Sequence, residues 1–279
     1  MMLAVPYILR RLLVGKLPVA VSALLFSLVF PCGLKGQPRE LPYKDGETLH
    51  YAMNYKWGGI NTDVGSATVQ LEYGDGIFHA VVEGHTFKFY DIFFKVREHF
   101  ESRFYAQTLR PASFYRDTYE GKHAMKNIYN FDKENYNIHA TVQKNDRPPR
   151  DTVLPGTAAT YDLVTLFFVC RTLDFSKIPT DVPQPISFAI DTDIYDLYYI
   201  YKGKEVKKIQ GLGTFKTLKF SAKLVAGDVF TGKEEMTFWI TDDENKIPLL
   251  FESPIIVGKV SGRLTEWEEL KYPVTSKIK

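Results

Sequence analysis

Large apolar side chains recur at every second position over most of the chain. Residues 47–57 read ETLHYAMNYKW, which places Leu49, Tyr51, Met53, Tyr55 and Trp57 on one face and His50, Ala52, Asn54 and Lys56 on the other. Successive strand side chains point to opposite faces, so this period of two predicts a strand with one buried face. The same rhythm predicts strands at 64–73 and 77–89, joined through Gly74-Asp75-Gly76, and at 97–105, 112–120, 123–131 and 136–144. It breaks at 145–159, NDRPPRDTVLPGTAA, which reads as a loop.

Residues 161–173, YDLVTLFFVCRTL, are too long and too continuously apolar for one exposed strand. They predict a buried helix with Thr160 as N-cap, its hydroxyl accepting from a first-turn amide. Pro179, Pro183 and Pro185 close that region, and strands resume at 186–191, 194–202, 205–210 and 214–225. Glu235–Thr241 is expected to pair across Asp242-Asp243-Glu244-Asn245 with 247–252, and a last strand runs from 257 to 270. The expected fold is mainly β, a strongly curled antiparallel sheet or open β-barrel of roughly a dozen strands with one buried central helix.

Composition agrees with that reading. The 279 residues include 17 Tyr, 20 Phe and 3 Trp, side chains that suit a pleated, half-buried surface. The opening is different. Residues 1–36 hold no acid, Arg10, Arg11 and Lys16 come first, and an apolar run, LPVAVSALLFSLVF, fills 17–30. This is the pattern of a secretory signal, and the run is short for a spanning helix, which needs about 20 apolar residues. Cleavage is expected after Gly36, leaving 37–279 as a single β-rich domain without a membrane span. Two alternatives are a retained anchor and lipid attachment at Cys32.

Of 35 basic residues, Arg10, Arg11, Lys16 and Lys35 lie in that segment, so 31 face 33 acids in 37–279, a net charge of −2. That balance offers no polycation for nucleic acid. Cys170 is the one cysteine left, and on the expected helix it reads as an inert core thiol.

Ordered landmarks carry a resemblance. Gly46-Glu47-Thr48-Leu49-His50-Tyr51 opens the first strand, Gly65-Ser66-Ala67 lies in the second, and Tyr161-Asp162-Leu163 starts the helix. Residues 238–252, FWITDDENKIPLLFE, and 253–264, SPIIVGKVSGRL, follow near the end. In this order they resemble the domain-of-unknown-function family 3108 of exported bacterial proteins. The resemblance implies a β-dominated envelope protein and transfers no catalytic residue.

Chemical motifs are few. Gly227 to Lys233, GDVFTGK, has phosphate-loop spacing, but Glu234 stands where Ser or Thr would hold magnesium, and a strand pattern follows where a helix is needed. No nucleotide and no cofactor are expected. His79, Glu83 and His85 share one strand face, but at about 3.3 Å per residue the two histidines lie roughly 20 Å apart, too far to share a zinc ion. Asp191, Asp193 and Asp196 read as a polar turn without the glycine and glutamate of a calcium loop. Asp242-Asp243 could supply paired acids for sugar chemistry, although acids in such a turn usually serve its backbone. Lys202, Lys204, Lys207 and Lys208 read as a solvated strand face.

Trp239 and Leu250 stand off the apolar faces of their strands and must be covered by something. The helix at 161–173 is the plain candidate. A ligand is the sharper one, which makes these two residues the candidate ligand-binding pair. The leading functional expectation is a non-enzymatic protein of the periplasm or cell envelope that binds an apolar or amphiphilic molecule, with an envelope lipid, glycan or protein as partner. The alternatives are a hydrolase of envelope polysaccharide and a structural interaction protein with a packed interior and an exposed apolar patch.

Overall fold

The computed structural model describes residues 40–223, 235–255 and 258–279. The expected signal and the phosphate-loop-like segment lie outside these residues. The described chain forms fifteen strands in one sheet. The first eight are β1 (Thr48–Trp57), β2 (Ile60–Gly74), β3 (Ile77–Thr86), β4 (Val96–Tyr105), β5 (Pro111–Glu120), β6 (His123–Phe131), β7 (Ile138–Lys144) and β8 (Arg150–Leu154). The rest are β9 (Thr160–Tyr161), β10 (Pro183–Ile190), β11 (Asp193–Ile209), β12 (Gly213–Lys223), β13 (Glu235–Thr241), β14 (Pro248–Pro254) and β15 (Lys259–Glu268). Helix α1 is Lys88–Asp91 and helix α2 is Leu163–Arg171.

Two meanders share one seam. The order runs from β8 back to β1, then from β15 back to β9, with β1 paired antiparallel to β15. All neighbours are antiparallel except β9 and β10. The strongly curled sheet with a central buried helix is the expected architecture.

Alternation decides what faces inward. Leu49 and Tyr51, Val69 and Leu71, Ala80 and Val82, and Phe100 and Phe104 belong to one buried core. Helix α2 fills the concavity, packing on β3, β4 and β10, with eight of its residues buried. Phe168 reaches down from α2 to stack on Phe104, with ring centroids 5.6 Å apart, and Tyr43 meets it edge-on at 5.1 Å. Phe78 stacks on Phe104 at 5.3 Å, so aromatic rings occupy the middle of the curl.

Five local expectations are corrected. Thr160 does not cap α2, because it pairs within β9. Asp162 is the cap, with Oδ1 accepting from the Val164 and Thr165 amides at 2.9 Å each. A carboxylate suits this position because it satisfies two free amides and lies at the positive end of the helix. The strands expected at 194–202 and 205–210 are one strand, β11. A bulge lies between Tyr201 and Gly203, where Gly203 adopts φ 93°, so the strand bends without ending.

Pro183 and Pro185 lie inside β10, because β9 pairs only at Ser187 and Phe188 and leaves that stretch as an edge. The loop expected at 145–159 contains β8, which pairs with β7 from Val142 to Ile138. The strand expected to reach Phe89 stops at Thr86, and α1 follows as a second, short helix.

Candidate functional site

The C-terminal end of α2 opens on a cleft of about 720 Å³. After Thr172 the chain turns into a short 3₁₀ helix at Phe175–Lys177, capped by Asp174. The Asp174 carboxylate accepts from the Ser176 hydroxyl at 2.5 Å and pairs with Lys177 at 2.8 Å. Leu173, Phe175, Tyr201 and Leu218 form the apolar floor, and Phe175 and Tyr201 lie 5.9 Å apart.

The β13–β14 turn forms the opposite wall. Asp243 is occupied by structure. Its Oδ1 accepts from Thr241 Oγ1 at 2.8 Å and from the Asn245 amide at 3.1 Å, while Oδ2 accepts from Ser276 Oγ at 2.7 Å. Asp242 pairs with Lys204 at 2.8 Å. Both acids therefore stabilise the turn and its neighbours. Lys246 also lines the cleft. It is half-buried, adopts φ 48° and makes no ion pair among the described residues. Burial lowers its pKa, against the fields of Asp243, Asp174 and Glu244.

A buried ion pair holds this end in place. Arg171 and Glu47 are each 1% exposed and meet through both carboxylate oxygens, with Nη2 to Oε2 at 2.9 Å. Arg171 also donates to the Asn245 carbonyl from Nε at 3.2 Å and from Nη2 at 3.1 Å. Burial alone would lower the Arg171 pKa, but Glu47 reverses this and raises it.

Polar groups also penetrate the core at the other end of α2. Asp162 Oδ2 accepts from Thr165 Oγ1 at 2.6 Å and from Ser102 Oγ at 3.0 Å. Burial lifts Asp162 to about 6, and these hydrogen bonds offset only part of the rise. Farther along the inner face, Arg116 is fully buried and donates to Asp191 at 2.9 Å. Asn127 donates to the same carboxylate oxygen at 3.0 Å, and Tyr129 donates to the Asp191 carbonyl at 2.7 Å. Asp191 is thus more than a polar turn residue, because it fastens the β10–β11 turn to β5 and β6. Asp193 and Asp196 take no part in that cluster.

The histidine face is dispersed. His79 bonds to Glu101 at 3.0 Å, Glu83 to His99, and His85 approaches Ser66 at 3.4 Å. Among the described residues no group of three His, Cys, Asp or Glu is arranged to hold a metal ion. Cys170 is buried, and burial raises its thiol well above the usual range. Lys202 pairs with Asp181 at 2.9 Å, so that basic face is partly neutralised.

Trp239 pairs across strands with Leu250 but lies outside the main core cluster. Its cover differs from the helix expected in the sequence. The indole donates to Glu205, Lys207 Nζ sits 3.6 Å from the ring centroid, and Lys219 Nζ lies 5.6 Å from it. Neither Trp239 nor Leu250 lines the cleft. Lys204, Asp242 and Asp243 stood out in the sequence, but the rest of the cleft was missed because its lining comes from five separated segments. Arg116 did leave a signal, as a charged residue in the inward register between Phe114 and Thr118.

The sequence profile of a family of proteins of unknown function, DUF3108, matches residues 50–265. The chain belongs to this family. The match takes in the seam strands β1 and β15 except their outer ends, so the family's shared region is the sheet itself. No curated protein matches the chain.

Among solved structures, a β-barrel-like protein of the domain of unknown function DUF1849 from Brucella abortus aligns at a TM-score of 0.56 and 8% identity. The alignment covers 83% of this chain and 100% of that one, a likeness of fold alone. The lipoprotein LppX from Mycobacterium tuberculosis aligns at a TM-score of 0.24 and 12% identity, over 81% of this chain and 88% of that one. A score that low carries no weight here. Among the described residues no helix is long and apolar enough to cross a membrane.

Proposed function

We propose that this DUF3108 member is an exported protein of the periplasm or cell envelope, one β-rich domain over residues 37–279, that binds an amphiphile in the cleft beyond α2. The observation that carries this reading is the pairing of an apolar floor, Leu173, Phe175, Tyr201 and Leu218, with a half-buried Lys246 that has no ion-pair partner among the described residues. An acyl chain on that floor would bring an anionic head to Lys246. The cleft volume lies within the range of about 300–1,000 Å³ usual for ligand pockets. Asp174 supports binding over hydrolysis. It is paired with Lys177, as Asp242 is with Lys204, and Asp243 is bonded to Thr241 and Ser276, so these three cleft acids serve the local structure.

Calorimetric titration with dodecyl phosphate, dodecylphosphocholine and dodecanol, each below its micelle concentration, tests this. Saturable binding is expected to be tightest for dodecyl phosphate and weakened roughly tenfold or more by Lys246→Glu, since one charge-assisted contact contributes about 1.5–3 kcal/mol. Folded protein that binds none of the three, or binds them equally well after the substitution, would overturn the reading. Emission of Trp239, isolated against Trp239→Phe, is a second arm. A ligand-induced change that persists in Lys246→Glu would assign the site to Trp239 and Leu250 instead.

A further inference from the structure

The β3–β4 connection, residues 87–95, reads FKFYDIFFK. It contains α1, in which no residue is buried. Phe89 is 66% exposed and Ile92 78%, with Phe87 and Phe93 at 39% each. A contiguous exposed apolar group of this kind marks an interaction surface.

The backbone beneath it is fixed. The Phe87 amide donates to the Val64 carbonyl at 2.9 Å, and the Tyr90 hydroxyl meets Thr62 Oγ1 at 2.9 Å. Arg97 grips Asp91 through both oxygens, at 3.0 and 2.5 Å, and Thr86 Oγ1 adds a third bond at 2.6 Å. The half-buried Phe94 ring lies against Gly121, where an added Cβ would stand 2.6 Å from it. The rigid base therefore presents its apolar residues outward.

Charge selects the occupant. Lys88 and Lys95 flank the apolar residues, and exposed Lys122 follows Gly121 on the adjacent turn. Lys95 lies over the Tyr119 ring at 5.4 Å. None of the three has an ion pair among the described residues, and the one acid of the segment, Asp91, is neutralised by Arg97. Exposed aromatic and aliphatic side chains flanked by lysines match the boundary between anionic headgroups and acyl chains.

We propose that the β3–β4 loop docks this protein on an anionic lipid bilayer, with Phe89 and Ile92 entering the headgroup boundary and Lys88, Lys95 and Lys122 meeting lipid phosphates. The loop and the cleft are separate surfaces, so this inference stands apart from the cleft reading. The test places a reporter at the tip. Phe89→Trp in the full chain is mixed with vesicles of brominated phosphatidylglycerol or brominated phosphatidylcholine. Attachment through residues 1–36 is common to every variant and drops out of the comparison.

Added quenching is expected with phosphatidylglycerol, falling with salt, and reduced roughly thirtyfold or more in apparent affinity by Lys88→Glu/Lys95→Glu, since each lysine near such a surface contributes about 1 kcal/mol. Absence of added quenching would overturn the proposal. So would quenching equal on both lipids and untouched by the lysine reversal. Self-association dissolved by Phe89→Ser/Ile92→Ser, with no added quenching, would assign the face to a second copy.

Discussion

The two ends of α2 lie in the same packed interior and are held by opposite chemistry. At the N-terminal end Asp162 is fully buried, and among the described residues its carboxylate accepts only from amides and hydroxyls. At the C-terminal end Arg171 is as deeply buried but faces the Glu47 carboxylate. Both charges have the sign the helix dipole favours. A full opposite charge offsets burial, so Arg171 stays cationic and its pKa rises. Dipoles offset it only in part, so the Asp162 pKa rises to about 6 and the group can lose its charge within the ordinary pH range. One end is a fixed clamp, and the other is sensitive to protons.

Breaking the clamp has the largest expected effect. Glu47→Ala leaves a buried guanidinium without its counter-ion and should destabilise the fold by about 3–5 kcal/mol in chemical denaturation. Glu47→Leu/Arg171→Met removes both charges and should restore much of that loss. If the double variant is as unstable as the single one, packing rather than charge holds this end.

Asp162 comes next. Asp162→Ala removes a cap and leaves the Ser102 and Thr165 hydroxyls only each other, 2.8 Å apart, an expected cost of about 2 kcal/mol. Asp162→Asn keeps the cap and resembles the protonated acid. Because the folded pKa is raised, the stabilising contribution is complete below the unfolded value near 4. It is lost as pH rises through about 6. Wild-type stability should therefore carry a falling component between those values that Asp162→Asn lacks. Parallel pH profiles for the two proteins would show that Asp162 does not titrate there.

The smallest effect belongs to the outer face. Burial lowers the His99 pKa, but hydrogen bonds to Glu101 and Glu83 outweigh it and the net shift is upward. Its contribution is present below the unfolded value near 6.5 and fades as pH rises through the folded one. Exposed pairs contribute at most about 1 kcal/mol, and His99→Gln should remove a component of that size. NMR titration of the His99 ring checks the direction of the shift.

Strand positions were legible because direction alternates with every residue and needs no distant partner. His123–Phe131 and Glu235–Thr241 match the expected limits. Errors arose where a local pattern had two readings. The apolar run through Phe87 and Phe89 reads as more strand, yet the chain leaves the sheet at Thr86. Gly203 reads as a break, yet a bulge absorbs it. Thr160 reads as the cap, yet pairing of β9 with β10 takes it into the sheet and leaves the capping to Asp162.

The sequence by itself determined the alternating strands, the apolar helix between them and membership in DUF3108, because periodicity and ordered short motifs are local properties. The tertiary structure alone decided which charges share the interior. Glu47 and Arg171 are 124 residues apart in the chain, and Arg116 and Asp191 are 75 apart. It also decided that β1 and β15 join the two meanders, that five segments surround one cleft, and that Trp239 lies beneath Lys207. Each of these depends on long-range strand pairing, and the strength of a charge or hydrogen bond depends on the burial that such pairing creates.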